Sequence, residues 1–169
     1  MKITSVIVIG LATTLFLAGC VSKPIALSVV GPEPASRATA DSKGCLQVFS
    51  ATKKSPPVAS DDSTFFNLHT GYDINDESGK CVKFVPNHAS NMDESPDVVS
   101  LPAGHYNIVA ESTCCGQVIV PVVIQNGKST IVHLDRNWWV SAKTSTNQWV
   151  YLPDGEVVGW KGSIVKSSD

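Results

Sequence analysis

Leu101–Leu134 reads LPAGHYNIVAESTCCGQVIVPVVIQNGKSTIVHL, and this stretch decides the fold. Pro102-Ala103-Gly104 has the residues of a turn. After it, His105 to Ala110 alternates with period two, the pattern of a half-buried strand. Val118 to Ile124 is a near-continuous β-branched run, which suits a pleated and buried surface. Asn126-Gly127 is a strong hairpin signal, since both positions tolerate φ > 0. Ser129 to Leu134 is expected to complete that hairpin.

Working outward, the same period recurs. Cys45 to Phe49 is a short strand, and Lys53 to Asp62 is a polar, proline-containing loop. Tyr72-Asp73-Ile74 and Cys81 to Val85 flank Asp76-Glu77-Ser78-Gly79, which reads as a hairpin connection. Val98 to Leu101 leads into the turn already described. Seven short strands separated by turn residues argue for an all-β sandwich over residues 44–135. No segment after the N-terminal leader has convincing helical periodicity. Residues 136–169 differ, because all four tryptophans (Trp138, Trp139, Trp149 and Trp160) lie there. Gln148 to Tyr151 and Val157 to Trp160 flank Pro153-Asp154-Gly155 and form one more expected hairpin.

Leu101 to Ile108, Val120 to Ile124, Gly127-Lys128 and Val132-His133-Leu134 together resemble the carboxypeptidase regulatory-like domains, over roughly Gly44 to Asp135. The resemblance implies a seven-stranded prealbumin/Ig-like β-sandwich, here with an added C-terminal β-hairpin. Such domains are usually accessory or spacer modules, so the resemblance implies no catalytic residues. Fold by itself does not specify function.

The N-terminus is the second informative region. Lys2 precedes an almost uncharged apolar run, Ile3 to Ala18, too short for a comfortable membrane span. The run ends in Leu17-Ala18-Gly19-Cys20, which resembles the lipobox of bacterial lipoprotein precursors. The resemblance implies a signal peptide over 1–19, recognition through Leu17, Ala18 and Gly19, cleavage before Cys20, and lipidation of Cys20. Each buried acyl methylene contributes about 0.8 kcal/mol, so several chains on one residue would anchor the protein firmly. Residues 20–43, with Pro24 and Gly31-Pro32-Glu33-Pro34, read as a flexible tether. The apolar Ile25 to Val30 has docking on the domain, or a short strand, as its alternative. Val21 is not the aspartate associated with inner-membrane retention in some bacteria, which favours the outer membrane where there are two.

Composition narrows the function classes. The 169-residue chain carries a net charge of −2, and only 17% of its residues are charged. No segment is strongly basic, so nucleic acid is not an expected partner. There is no Gly-x-Ser-x-Gly elbow, P-loop or dinucleotide fingerprint. Apart from Cys20, the cysteines are Cys45, Cys81, Cys114 and Cys115. In an oxidising compartment these four thiols allow three pairings. At least one long-range bridge is favoured, from Cys45 or Cys81 to the Cys114-Cys115 pair, because bridging neighbours needs a strained ring.

Each candidate site has a structural alternative. Trp138, Trp139 and Trp149 could stack on sugar rings, but packing of the indoles on the sandwich takes precedence. Cys114-Cys115 could bind soft metals or switch redox state, but lacks a CxxC motif. His69, His88, His105 and His133 show no metal-binding spacing; His105 and His133, both on expected strands, could be neighbours. Asp73 to Gly79 hints at a calcium loop, but its glycine is one place late for an EF-hand. Asp61-Asp62 and Asp93-Glu94 read as solvated turns. No cofactor and no metal is expected. These readings imply a membrane-anchored envelope lipoprotein with a non-catalytic structural or protein-binding role. A glycan- or cell-wall-binding module using the C-terminal tryptophans is the second class, and a thiol-redox or hydrolytic enzyme the third.

Overall fold

The structure is a computed structural model that describes residues 23–34, 43–55, 65–138 and 146–163. Leu17, Ala18, Gly19 and Cys20, read from the sequence as resembling a lipobox, the acidic Asp61-Asp62 pair and Trp139 lie outside the described residues. What is described is nearly all β, with one short 3-10 turn at Thr146–Gln148. None of the described helical segments is long and apolar enough to cross a membrane.

The strands are β1 (Ile25–Ala26), β2 (Lys43–Phe49), β3 (Thr52–Lys54), β4 (Asn67–His69), β5 (Tyr72–Asn75), β6 (Cys81–Val85), β7 (Val98–Pro102), β8 (Gly104–Ser112), β9 (Gly116–Ile124), β10 (Ser129–His133), β11 (Trp149–Tyr151) and β12 (Val157–Trp160). A five-stranded sheet has the order β1-β9-β8-β5-β6, and a three-stranded sheet the order β10-β2-β7. β3 pairs with β4, and β11 with β12, as separate ribbons. Every strand expected from alternation is present. β1, β3 and β4 are additional; they are two or three residues long, and β1 and β3 are exposed throughout.

The alternation expresses itself as burial. Leu46 and Val48 of β2 are buried while Cys45, Gln47 and Phe49 are half-buried on the opposite face. In β9, Val118, Val120, Val122 and Ile124 point inward with Ile108 and Ala110 of β8 and Tyr72 and Ile74 of β5. They meet Leu46, Val48, Val99, Leu101 and Val132 of the smaller sheet in one core. Val150, Leu152 and Val158 join it, so the C-terminal hairpin belongs to the same packed body. Each large aliphatic side chain buried this way contributes about 1.5–3 kcal/mol.

One connection differs from the expectation. Asn126-Gly127 does turn the chain, with Gly127 at φ 65, but no hairpin forms. β10 leaves the β9 sheet and pairs in parallel with β2, Ser129 opposite Cys45 and His133 opposite Phe49. The reason is a competing partner: Gly127 N–H donates to Lys43 O at 2.9 Å, and Cys45 N–H to Lys128 O at 2.9 Å. The start of β2 therefore captures the turn. At Pro102-Ala103-Gly104 the chain also changes sheets, β7 pairing with β2 and β8 with β5 and β9. The β5–β6 hairpin is as expected, with Gly79 at φ 83 and Asp76 Oδ1 accepting from Ser78 and Lys80.

Ile25 to Val30, within the expected tether, has the docked arrangement that stood as its alternative. β1 runs parallel to β9, and Val30, fully buried, bridges Val122 on one side and Lys161 on the other. Gly31 N–H donates to Trp160 O at 2.8 Å, and Gly162 N–H to Val29 O at 2.8 Å. A Cβ on Gly162 would sit 2.9 Å from Gly31 N, which explains glycine at this crossing.

Candidate functional site

Docking of Ile25 to Pro34 against the C-terminal hairpin creates a cleft of about 520 Å³. Pro32 and Pro34 form one wall, Trp160 and Lys161 the other, and Asn147, Gln148, Gly162 and Ser163 complete it. Its size lies within the range of small-molecule sites. The half-buried Trp160 supplies an indole surface, exposed Asn147 and Gln148 two amides, Lys161 an ammonium, and Ser163 a hydroxyl. Both walls are held by backbone bonds: Lys161 N–H to Gln148 O at 2.7 Å on the hairpin side, and Gly31 N–H to Trp160 O on the N-terminal side.

Trp160 is positioned by an aromatic row that crosses the molecule. Trp149 and Trp160 are register partners, with ring centroids 4.1 Å apart. Trp138 meets Trp149 edge-on at 5.2 Å and stacks on His133 at 4.3 Å. His133 in turn stacks on its register partner Phe49 at 4.6 Å, and Phe49 meets His69 edge-on at 5.7 Å. Such ring pairs contribute about 0.5–1.5 kcal/mol each beyond area burial. Burial lowers the His133 pKa from 6.5 to about 4, and Asp135 opposes that shift. At neutral pH His133 is therefore uncharged.

The expected site residues are dispersed. Trp149 is 7% exposed, and Trp138 is half-buried between His133 and Trp149, so both act first as packing. Among the described tryptophans the one that lines a cleft is Trp160, which was not in the expected binding set. Its pairing with Trp149 across Pro153-Asp154-Gly155 was a signal for it. Nothing local pointed to Pro32 and Pro34 as the opposite wall.

The long-range disulfide is corrected: Cys114 is bonded to Cys115, and Cys45 and Cys81 are free. Cys45 lies on β2 of the three-stranded sheet, whereas Cys81 is on β6 at the far edge of the other sheet. Cys114 and Cys115 occupy the β8–β9 turn, which joins two neighbouring strands of the five-stranded sheet. His105 and His133 are not neighbours either, since β8 and β10 belong to different sheets. His69 is buried, with Nδ1 2.7 Å from Ser50 O, which makes Nδ1 the protonated nitrogen. The Asp73 to Gly79 segment is a hairpin tip, where hydrogen bonds from Ser78 and Lys80 lower the Asp76 pKa.

Compared with known proteins, the chain matches no family model, no curated protein and no solved structure.

Proposed function

We propose that this is a lipid-anchored envelope protein whose β-domain is a non-catalytic binding module, and that the cleft beside Trp160 takes a saccharide. One observation carries the reading: Trp160, Asn147, Gln148, Ser163 and Lys161 line one groove of about 520 Å³. A sugar presents C–H faces that suit an indole and hydroxyls that suit amides and backbone groups. Glycoside hydrolysis needs a pair of carboxyl groups about the bond, and the described residues lining the cleft supply neither. The resemblance of 101–134 to accessory sandwich modules points the same way.

The anchor fits this role geometrically. Only five residue steps separate Cys20 from β1. At full extension they reach about 17 Å. Lipid on Cys20 would thus hold the domain close to the membrane surface, with the cleft beside the anchored segment.

The test is a titration of the full chain in detergent with cell-wall oligosaccharides, read by tryptophan fluorescence, together with co-sedimentation on purified sacculi. Saturable binding by the wild type, weakened tenfold or more by Trp160→Ala and by Gln148→Ala, is the expected result. Equal binding by all three proteins, or none by the wild type, refutes the saccharide reading.

A second reading, protein binding, is favoured by β6. This strand ends the five-stranded sheet, and Val82 and Phe84 on it are 53% and 60% exposed. An open edge with apolar side chains is the surface on which an extended peptide adds a strand. Val82→Lys together with Phe84→Lys should abolish such capture and leave sugar binding unchanged.

A further inference from the structure

Two turns from distant parts of the chain meet at Cys114 and Cys115. Sγ of each cysteine and a carboxylate oxygen of Asp154 all lie within 4.8 Å of one another. Asp154 comes from the β11–β12 turn, about forty residues downstream of the β8–β9 turn that holds the cysteines. The meeting is built by tertiary bonds. Thr113 N–H donates to Leu134 O at 2.9 Å, which fixes the cysteine turn against the end of β10. Ser112 Oγ accepts from Cys115 N–H at 3.1 Å and donates to Gly116 O at 3.1 Å, which shapes the turn internally. On the other side, Gly155 N–H donates to Leu152 O, and Arg136 pairs with Asp154. Both cysteines are half-buried against the rim of the core, so one face of the pair is open to solvent.

We propose that reduction of the Cys114–Cys115 bridge opens a binding site for one thiophilic divalent cation of the Zn²⁺ or Cd²⁺ class, with Cys114, Cys115 and Asp154 as its protein ligands. Thiolates select such ions, and two thiolates with one carboxylate leave a fourth tetrahedral position for water. With metal–sulfur bonds of about 2.3 Å, tetrahedral geometry sets the two sulfurs about 3.7 Å apart. Side-chain rotation at each cysteine supplies that separation once the S–S bond is broken. The oxidised pair offers no thiolate, so the bridge is the gate.

The chemistry balances with a phosphine as reductant. The phosphine attacks one sulfur and takes oxygen from water to become the phosphine oxide. The two electrons it loses break the S–S bond, and the water protons complete two thiols. Binding of the cation then releases both thiol protons to solvent.

The test uses the full chain with Cys20, Cys45 and Cys81 changed to alanine, which leaves Cys114 and Cys115 as its only cysteines. The protein is reduced with a phosphine, desalted without oxygen, and titrated with Cd²⁺ while the ultraviolet thiolate-to-cadmium band is followed. The expected result is a saturable band at one equivalent in the reduced protein and none in the oxidised one. Asp154→Asn should weaken binding tenfold or more, and Asp154→Glu should restore part of it. Far-UV circular dichroism establishes that each variant keeps the β-fold. Absence of the band in the folded, reduced protein overturns the proposal. So does a folded Asp154→Asn variant that binds as tightly as its parent, since the third ligand is then not Asp154.

Discussion

Asn87 is where a single side chain ties three segments of the chain together, and changing it separates two physical effects. The residue is fully buried and sits at φ 69, in the left-handed region. Its Nδ2 donates to Val48 O at 2.8 Å and to Ser50 Oγ at 2.9 Å, and its Oδ1 accepts from Asp97 N–H at 3.1 Å. Ser50 Oγ passes the connection to Thr70 O at 2.6 Å, and Ser50 O holds the His69 ring. Asn87 therefore ties the end of β2, the β4–β5 junction and the loop before β7. Asn87→Ala orphans the buried Val48 O, at about 1–3 kcal/mol, and the half-buried Asp97 N–H, at about 1 kcal/mol. It also places an ordinary L-residue in left-handed space, which costs about 1–2 kcal/mol. The total expected is about 3–6 kcal/mol, a large part of the 5–15 kcal/mol typical of a domain. Asn87→Gly loses the same hydrogen bonds but not the steric cost, and pays about 0.5–1 kcal/mol in chain entropy instead. It should be more stable than the alanine variant by about 0.5–1 kcal/mol. Urea unfolding followed by tryptophan fluorescence measures both. An alanine variant within about 1 kcal/mol of wild type refutes the hydrogen-bond accounting, and a glycine variant below the alanine one refutes the backbone argument.

Three further outcomes are expected. His133 has a folded pKa of about 4 against 6.5 in the open chain. The unfolded state then binds more protons between these values, so stability is complete above pH 6.5 and falls as pH drops toward 4. Its partial exposure brings the loss down to about 1–2 kcal/mol, and His133→Gln should flatten the profile in acid unfolding curves. Gly159→Ala puts a Cβ 2.7 Å from Val30 Cγ1 and 2.8 Å from Ile131 O. It should cost about 1–3 kcal/mol by thermal melting and loosen the cleft by pushing the hairpin from Val30. Without reductant, the tryptic peptide Phe84–Lys128 should be two hydrogens lighter than its reduced form, and Cys45 and Cys81 should alkylate freely. A mass-spectrometric link from Cys45 or Cys81 to that peptide would disprove the neighbouring bridge.

How much of this was legible depends on the range of the interaction. Alternation placed β2 and β5 to β12, because period two is a local property of a strand with one face in a core. β1, β3 and β4 carry no such pattern; they are strands only because another strand lies beside them. Among candidate site residues, the tryptophan cluster was visible as composition, yet its division into packing and cleft was not. Trp149 is buried and Trp160 lines the groove because Pro32, Pro34 and the hairpin close around them differently.

What the sequence determined by itself is therefore the β class, most of the strands, and the turns at Gly79 and Gly155. Each follows from residues within about ten positions of one another, through backbone sterics and side-chain alternation. Tertiary structure alone decided that β10 joins β2 instead of β9, that Cys114 bonds its neighbour, and that Asp154 reaches that pair. It also decided that the N-terminal segment builds a cleft with Trp160. These are choices among partners with similar local chemistry. They are settled by which hydrogen bonds and apolar contacts can be satisfied together in one packed body.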